Sequence, residues 1–232
     1  MKSLSLVIPA YGAGELLGRI LAHVPGLAET AARCGFELVE TIVVDDGSEP
    51  PIGEIPPSGL PCRLLRNARN SGKGFSVRRG ALDAKGTWVL MSDVDESVPF
   101  SEFAKLAPFA GRAIVCGIRQ GGEDARPFHR RVLSWLFNRL TGTGLKDTQC
   151  GFKLFNMALM RPVFEGQQTT RFAFDVELIR KAPSIAEVPV AWRGGRRSSL
   201  KVWRDAPCML WDLAKIRGSC GSAGQIKPMS TF

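Results

Sequence analysis

Short apolar runs rich in Val, Ile and Leu recur through the first half of the chain, at residues 4–8, 38–44, 62–66, 88–92 and 113–117. Each run is brief and most are flanked by Gly, Pro, Asp or Asn, so each predicts a buried strand. Between them apolar residues recur at helical spacing over 15–34, 74–84 and 101–106, the last with Ser101 as its cap. Strands alternating with helical patterns predict βαβ units and a mostly parallel sheet. Residues 47–61 are dense in Pro and Gly and predict a surface loop.

Beyond residue 117 the pattern changes. A polar loop over 120–127 precedes an amphipathic helix over about 128–140, a Gly-Thr-Gly break, a short strand at 153–155, a helix at 174–181 and a strand at 185–192. The predicted fold class is α/β: one domain with a mostly parallel central sheet flanked by helices, its second half adding to the same sheet. The 232 residues suit one domain of the larger sort, and no internal repeat divides them. Residues 218–232 are small and polar and predict a disordered tail.

Composition removes several classes. No apolar run approaches the roughly 18–20 residues of a membrane-spanning helix. The apolar stretch near Met1 is too short for a signal peptide and reads as the first strand, so a cytoplasmic protein is expected. The six cysteines, Cys34, Cys62, Cys116, Cys150, Cys208 and Cys220, lack metal or redox spacing and are expected to be reduced. A net charge of +9 favours polyanionic partners: phosphorylated substrates, an anionic membrane surface or nucleic acid. The chain has no basic, aromatic RNA-binding signature, and nucleic acid is not expected.

The informative acids stand at strand ends. Asp45 and Asp46 follow one predicted strand, and Asp93-Val94-Asp95 follows another. Open parallel sheets bind ligands at the carboxyl ends of their strands, so both pairs would face one crevice. Alternate residues of an extended segment point the same way, and Asp93 with Asp95 would suit a hard divalent ion, Mg²⁺ or Mn²⁺, together with phosphate oxygens. The competing reading is that such acids only cap helices or shape turns, which two pairs in register weigh against. Asn70-Ser71-Gly72-Lys73-Gly74 leads into a basic helix carrying Arg78 and Arg79. Glycines there would let backbone N–H groups approach a phosphate; a plain turn with a solvated basic face is the alternative. Neither Walker nor dinucleotide spacing is present. His23 and His129 are isolated and read as satisfied residues, and Trp192 and Trp203 as packing residues.

Taken in order, Val7-Ile8-Pro9-Ala10-Tyr11, Val43-Val44-Asp45-Asp46-Gly47-Ser48, Asn70-Ser71-Gly72-Lys73-Gly74, Ser92-Asp93-Val94-Asp95, Gly117-Ile118-Arg119 and Asp147-Thr148-Gln149-Cys150-Gly151-Phe152-Lys153-Leu154-Phe155 resemble glycosyltransferase family 2. The likeness spans residues 4 to about 217 and is nearest the branch that makes polyprenyl-phosphate mannose or glucose, with 170–178 leaning to glucose. It implies a GT-A fold, with a donor half at 1–119 and an acceptor half at 120–217. By resemblance, Pro9, Tyr11, Asp45 and Asp46 would line the nucleotide, Lys73 and Asp93 the donor, and Asp93 and Asp95 the metal. Arg119 would receive the acceptor phosphate, with Arg131 a weaker candidate for the same work. Asp147 would act as base or orienting group beside Gln149. The activity so implied is metal-dependent, inverting transfer of a hexose from UDP-glucose or GDP-mannose to a polyprenyl phosphate on the cytosolic face of the membrane.

Two departures bear on that expectation. Gly12-Ala13 stands where the family has Asn-Glu, and Arg197-Ser198-Ser199 replaces Gly-Ser-Lys, leaving Arg196, Arg197 and Lys201 to supply charge. The amphipathic stretches 128–140 and 206–217 would attach the protein peripherally to the membrane. A family 2 enzyme with a soluble or protein acceptor, and a non-catalytic basic nucleotide-binding module, are the competing readings.

Overall fold

The computed structural model describes residues 1–53, 55, 59–120, 141–171 and 173–193. Seven strands form one sheet: β1 (Lys2–Ala10), β2 (Phe36–Asp45), β3 (Cys62–Arg66), β4 (Trp88–Met91), β5 (Ile114–Gln120), β6 (Lys153–Asn156) and β7 (Ile185–Ala191). Their order is β3-β2-β1-β4-β6-β5-β7. Every pairing is parallel except those of β6, which runs against both β4 and β5. The amino end of β6 therefore lies at the edge where the other strands finish, and Lys153 pairs with Met91 on one side and Cys116 on the other.

Among the described residues six α-helices cover the sheet: α1 (Gly14–Ala22), α2 (Val24–Arg33), α3 (Lys73–Asp83), α4 (Phe103–Leu106), α5 (Met157–Glu165) and α6 (Phe174–Lys181). The central strands are largely apolar because both faces are covered, with Ser5, Glu40, Thr41 and Lys153 as buried polar exceptions. Along β1, Leu4, Leu6, Ile8 and Ala10 join a core with Leu17, Leu27 and Phe103 of α1, α2 and α4. Val7 joins the opposite core, with Val77, Met160 and Phe174 of α3, α5 and α6.

The predicted strands are all present, with ends shifted by up to three residues, and the helix over 174–181 is found as expected. The single helix predicted over 15–34 is instead two, parted at His23, because Pro25 opens α2 where its missing N–H costs nothing and would interrupt a continuous helix. Ser101 does not cap a helix; it sits inside a 3₁₀ turn, Phe100–Glu102, that leads into α4. Helix α5 is not among the predicted elements. Pro162 breaks its backbone ladder, and burial of Met157, Met160 and Phe164 holds it in place, with the Asn156 side chain accepting from Ala158 N at its start. The expected loop and helix over 121–140, the second amphipathic stretch and the tail lie outside the described residues.

Helix α3 approaches the sheet at Gly80, where a Cβ would stand 2.5 Å from Val7 Cγ1 and 3.1 Å from Val44 Cγ2. Gly80→Ala should therefore destabilise the protein by about 1–3 kcal/mol despite the better helix propensity of Ala. Urea unfolding checks this, with a lower midpoint at unchanged slope as the expected result.

Candidate functional site

At the end of β2, Asp45 is fully buried and turned inward. Its Oδ1 accepts from Ser48 N (2.9 Å) and Ser48 Oγ (2.5 Å), and its Oδ2 from Ile52 N (3.3 Å). Ser48 Oγ in turn accepts from Gly12 N at 2.9 Å, which ties the turn after β1 to the turn after β2. Pro9 is buried within β1, whereas Tyr11, just past its end, is exposed.

Asp46 also points into the protein. It accepts from Asn67 Nδ2 (2.7 Å), Ser71 N (2.9 Å) and Gly72 N (2.8 Å). The turn it clamps needs Gly72 at φ 99°, and a Cβ there would meet Thr170 O at 2.5 Å. The outcome is a fixed launch for α3, whose first residue is Lys73.

Lys73 Nζ lies 2.6 Å from Asp93 Oδ1. Burial works against ionising Asp93, but the charge and hydrogen bond of Lys73 outweigh it and hold its pKa below the carboxylate range. The Asp93 carboxylate rests against the Cα of Gly151, so closely that any Cβ at 151 would collide with it. Asp95 differs: burial first, and then the charge of Asp93, push its pKa up, while Ser97 N donates to its Oδ1 at 3.0 Å. The turn between them is closed by Glu96 N to Asp93 O (3.0 Å), with Glu96 at φ 46° and its carboxylate bonded to His23 Nδ1. His23 is thus satisfied, as expected.

Two neighbouring carboxylates, one of them destabilised by the other's charge, suit a hard cation. Among the described residues no third acid, His or Cys joins them. The protein would therefore supply two oxygen-bearing side chains and leave the remaining positions to phosphate and water, which is how Mg²⁺ is commonly held.

Arg119, near the end of β5, and Asp147, ahead of β6, form a two-pronged ion pair: Nε to Oδ2 at 2.6 Å and Nη2 to Oδ1 at 2.7 Å. Burial opposes the charge on Asp147, but Arg119 overrides it and keeps the pKa low; the same pairing raises that of Arg119. Gln149 is half-buried, and its backbone N donates to Asp147 Oδ1 at 3.2 Å. The guanidinium stands 6.0 Å from the ring centroid of Trp192. Arg131, Arg197, His129 and Trp203 lie outside the described residues.

Lys153 and Asp175 escape the reading of the sequence. Lys153 is 1% exposed and Asp175 4% exposed, and they pair at 2.7 Å. The available signal was a lone lysine inside an apolar strand, which requires a buried partner. Cys116 and Cys150 are buried beside this pair, and burial raises their pKa values to about 12 and about 11, which leaves them neutral thiols. All four cysteines among the described residues are free.

Acids, a helix-launching glycine turn and paired cations gather at the carboxyl edge of an open sheet, where such sheets bind ligands, and the arrangement agrees with the expected GT-A fold. The profile described as "Glycosyl transferase family 2" matches residues 5–165, and the chain belongs to glycosyltransferase family 2. It is 32% identical to the dolichyl-phosphate beta-glucosyltransferase of Dictyostelium discoideum over 242 residues, covering 92% of this chain and 73% of that protein. It is 35% identical to one from Trichomonas vaginalis, covering 85% of this chain and 66% of that one. The human dolichyl-phosphate beta-glucosyltransferase is 31% identical, with 82% and 67% covered. Among solved structures, glucosyl-3-phosphoglycerate synthase from Mycobacterium tuberculosis, in complex with Mn²⁺, UDP-Glc and phosphoglyceric acid, superposes with a TM-score of 0.70 at 18% identity, over 95% of this chain and 82% of that one. Mannosyl-3-phosphoglycerate synthase from Rubrobacter xylanophilus gives 0.64 at 18%, over 94% and 73%.

Because the folded pKa of Asp147 lies below its unfolded value, the stability gained from the Arg119 pair is complete above the unfolded value of about 4 and is lost as pH falls through the folded one. Asp147→Asn should cost about 2–3 kcal/mol at pH 7, since it leaves a mostly buried guanidinium without its counter-charge. The gap between the two proteins in urea unfolding should stay constant from pH 7 to about 5 and narrow below about 4.

Proposed function

We propose that this chain transfers glucose from UDP-glucose to the phosphate of a polyprenyl phosphate, inverting the anomeric carbon, at the cytosolic face of a membrane. The observation that carries the reading is the Arg119 fork closed on Asp147, within electrostatic reach of Asp93. A guanidinium that takes a carboxylate on two prongs will take a phosphate the same way. Lys73 and Asp93 would then serve the donor side of the same edge, and Arg119 the acceptor side.

The chemistry asks little of a base. A phosphate monoester is mostly ionised near neutral pH, so its oxygen can attack C1 directly. Asp147 is itself held ionised by Arg119 and would orient the acceptor and Arg119 rather than take a proton as a base. Lys73, on its clamped turn, would stabilise charge gathering on the leaving diphosphate. Asp93 and Asp95 would hold the divalent ion, Mg²⁺ or Mn²⁺, which supplies Lewis-acid neutralisation of that leaving group when bound. Attack opposite the leaving group turns an α-linked donor into a β-linked lipid. Pro9, Tyr11, Asp45 and Asp46 would shape the nucleotide pocket. In this role Asp45 and Asp46 act by fixing the surrounding turns, and exposed Tyr11 is the member available to a base. Gln149, Arg131 and Arg197 would complete the acceptor side.

Support for glucose and a lipid acceptor comes from the names of the sequence relatives, dolichyl-phosphate beta-glucosyltransferases. The phosphoglyceric acid complex would point to a soluble acceptor, but at 18% identity that likeness speaks for the fold only. The net charge of +9 suits a peripheral enzyme on anionic lipid. Among the described residues no helix is long and apolar enough to cross a membrane.

Purified protein should be offered UDP-glucose, GDP-mannose or UDP-GlcNAc with Mn²⁺ and a short polyprenyl phosphate. Radiolabel from UDP-glucose should enter the organic phase as a β-linked product, and Asp95→Ala should lower the rate by at least about 100-fold. Undiminished transfer by Asp95→Ala would remove the metal assignment, and an α-linked product would remove inversion. In flotation with vesicles rich in anionic lipid, the protein should co-float at low salt and be released by about 0.5 M salt.

A further inference from the structure

Lys153 has no part in the chemistry just described, yet it is the largest charged side chain fully buried among the described residues. Its ammonium sits between Asp175 Oδ1, at 2.7 Å, and the carbonyl oxygen of Cys150, at 2.5 Å. Burying an ion pair gains little stability by itself, and replacing one by apolar side chains of similar volume is often neutral or favourable. A role in placing neighbouring groups explains the pair better than a role in stability.

What the pair touches defines that role. Cys150 precedes Gly151, whose Cα forms the seat of the Asp93 carboxylate, and it closes the short segment that begins with Asp147. Asp175 belongs to the first turn of α6, and the neighbouring Phe174 packs so tightly on Gly74 that a Cβ there would lie 2.5 Å from Phe174 Cβ. Gly74 follows Lys73. One buried ammonium thus joins β6, the 147–151 segment and the start of α6, and α6 in turn abuts the start of α3. On the reading of the preceding section, those elements carry Asp147, the seat of Asp93, and Lys73.

We infer that Lys153, held by Asp175, is a positioning residue for sugar transfer: by gripping the Cys150 carbonyl it sets the 147–151 segment so that the Arg119–Asp147 pair and Asp93 stand in register across the edge. It touches no substrate. Displacement of such a segment by even about 1 Å can cost on the order of 100-fold in rate.

The test uses the full chain with Lys153→Met and Asp175→Leu combined, an apolar pair of similar size. The inference expects a melting temperature equal to or above that of the native protein, with kcat for lipid-linked product down at least about tenfold, KM for UDP-glucose within about twofold, and a larger share of donor lost to hydrolysis. A folded double variant with native kcat and native coupling overturns it, as does a kcat that falls only as the melting temperature falls. Should this variant not fold, Lys153→Gln with Asp175→Asn keeps a hydrogen-bonding pair without charge and is judged by the same two readouts. Native protein that transfers glucose to no polyprenyl phosphate defeats the proposed function before any variant is compared. Native protein that transfers, matched by its variant, defeats only this inference.

Discussion

The reversal of β6 is the constraint on which the arrangement rests. In a wholly parallel sheet, segments leading into strands lie at the edge opposite the one that binds ligands. Because β6 runs against β4 and β5, the segment leading into it, residues 147–151, arrives where β2, β4 and β5 end. Asp147 thereby meets Arg119, and Gly151 meets Asp93, although 28 residues separate the first pair. Lys153 is the first residue of the reversed strand, and its partner Asp175 comes from the opposite layer, so the reversal is also where the sheet and the α6 helix are coupled.

Along that edge each acid has a partner that decides what it can do. Asp45 spends its oxygens on donors of its own turn, Ser48 and Ile52, and Asp46 on donors of the remote 67–72 segment, so both fix turns at the edge. Asp93 and Asp147 are each closed by a cation and held ionised against burial. Among the described residues no cation closes on Asp95, and burial and the charge of Asp93 raise its pKa. Lys73 with Asp93 and Arg119 with Asp147 are thus self-neutralised pairs; on the reading proposed above, a phosphate would compete with a carboxylate for its cation, and a metal ion with Lys73 for Asp93. On that reading the donor diphosphate and the metal ion would bind together, since the diphosphate would take Lys73 and leave Asp93 to the ion.

Much of this was legible in the chain. Period and punctuation located the seven strands among the described residues, and two of them carry acids at or just beyond their carboxyl ends, Asp45 with Asp46 and Asp93 with Asp95, as expected. The limits have physical causes. The break at His23 follows from Pro25, a residue that a helix tolerates at its start and not within, so one apolar stripe concealed two helices. Helix α5 survives an internal proline only because tertiary packing outweighs propensity. The three donors to Asp46 come from Asn67, Ser71 and Gly72, more than 20 residues away, so the turn it clamps is not written in its own neighbourhood. The Lys153–Asp175 pair joins a strand to a helix across the sheet, a contact that no local pattern encodes.

Glycine is where local sequence and remote geometry meet. Gly72 permits a left-handed turn that presents two N–H groups to Asp46, Gly74 lets α6 press on α3, and Gly151 leaves room for a carboxylate where a methyl group would stand. None of these positions carries a functional group, yet each sets a distance between groups that do. In a site whose parts are opposed charges, separation decides energy, because the attraction falls with distance and rises as water is excluded. The missing side chain at 151 therefore acts on electrostatics as much as on packing: it admits Asp93 into contact with the backbone, beside the segment that Lys153 grips and opposite Lys73, where its charge is both costly and compensated.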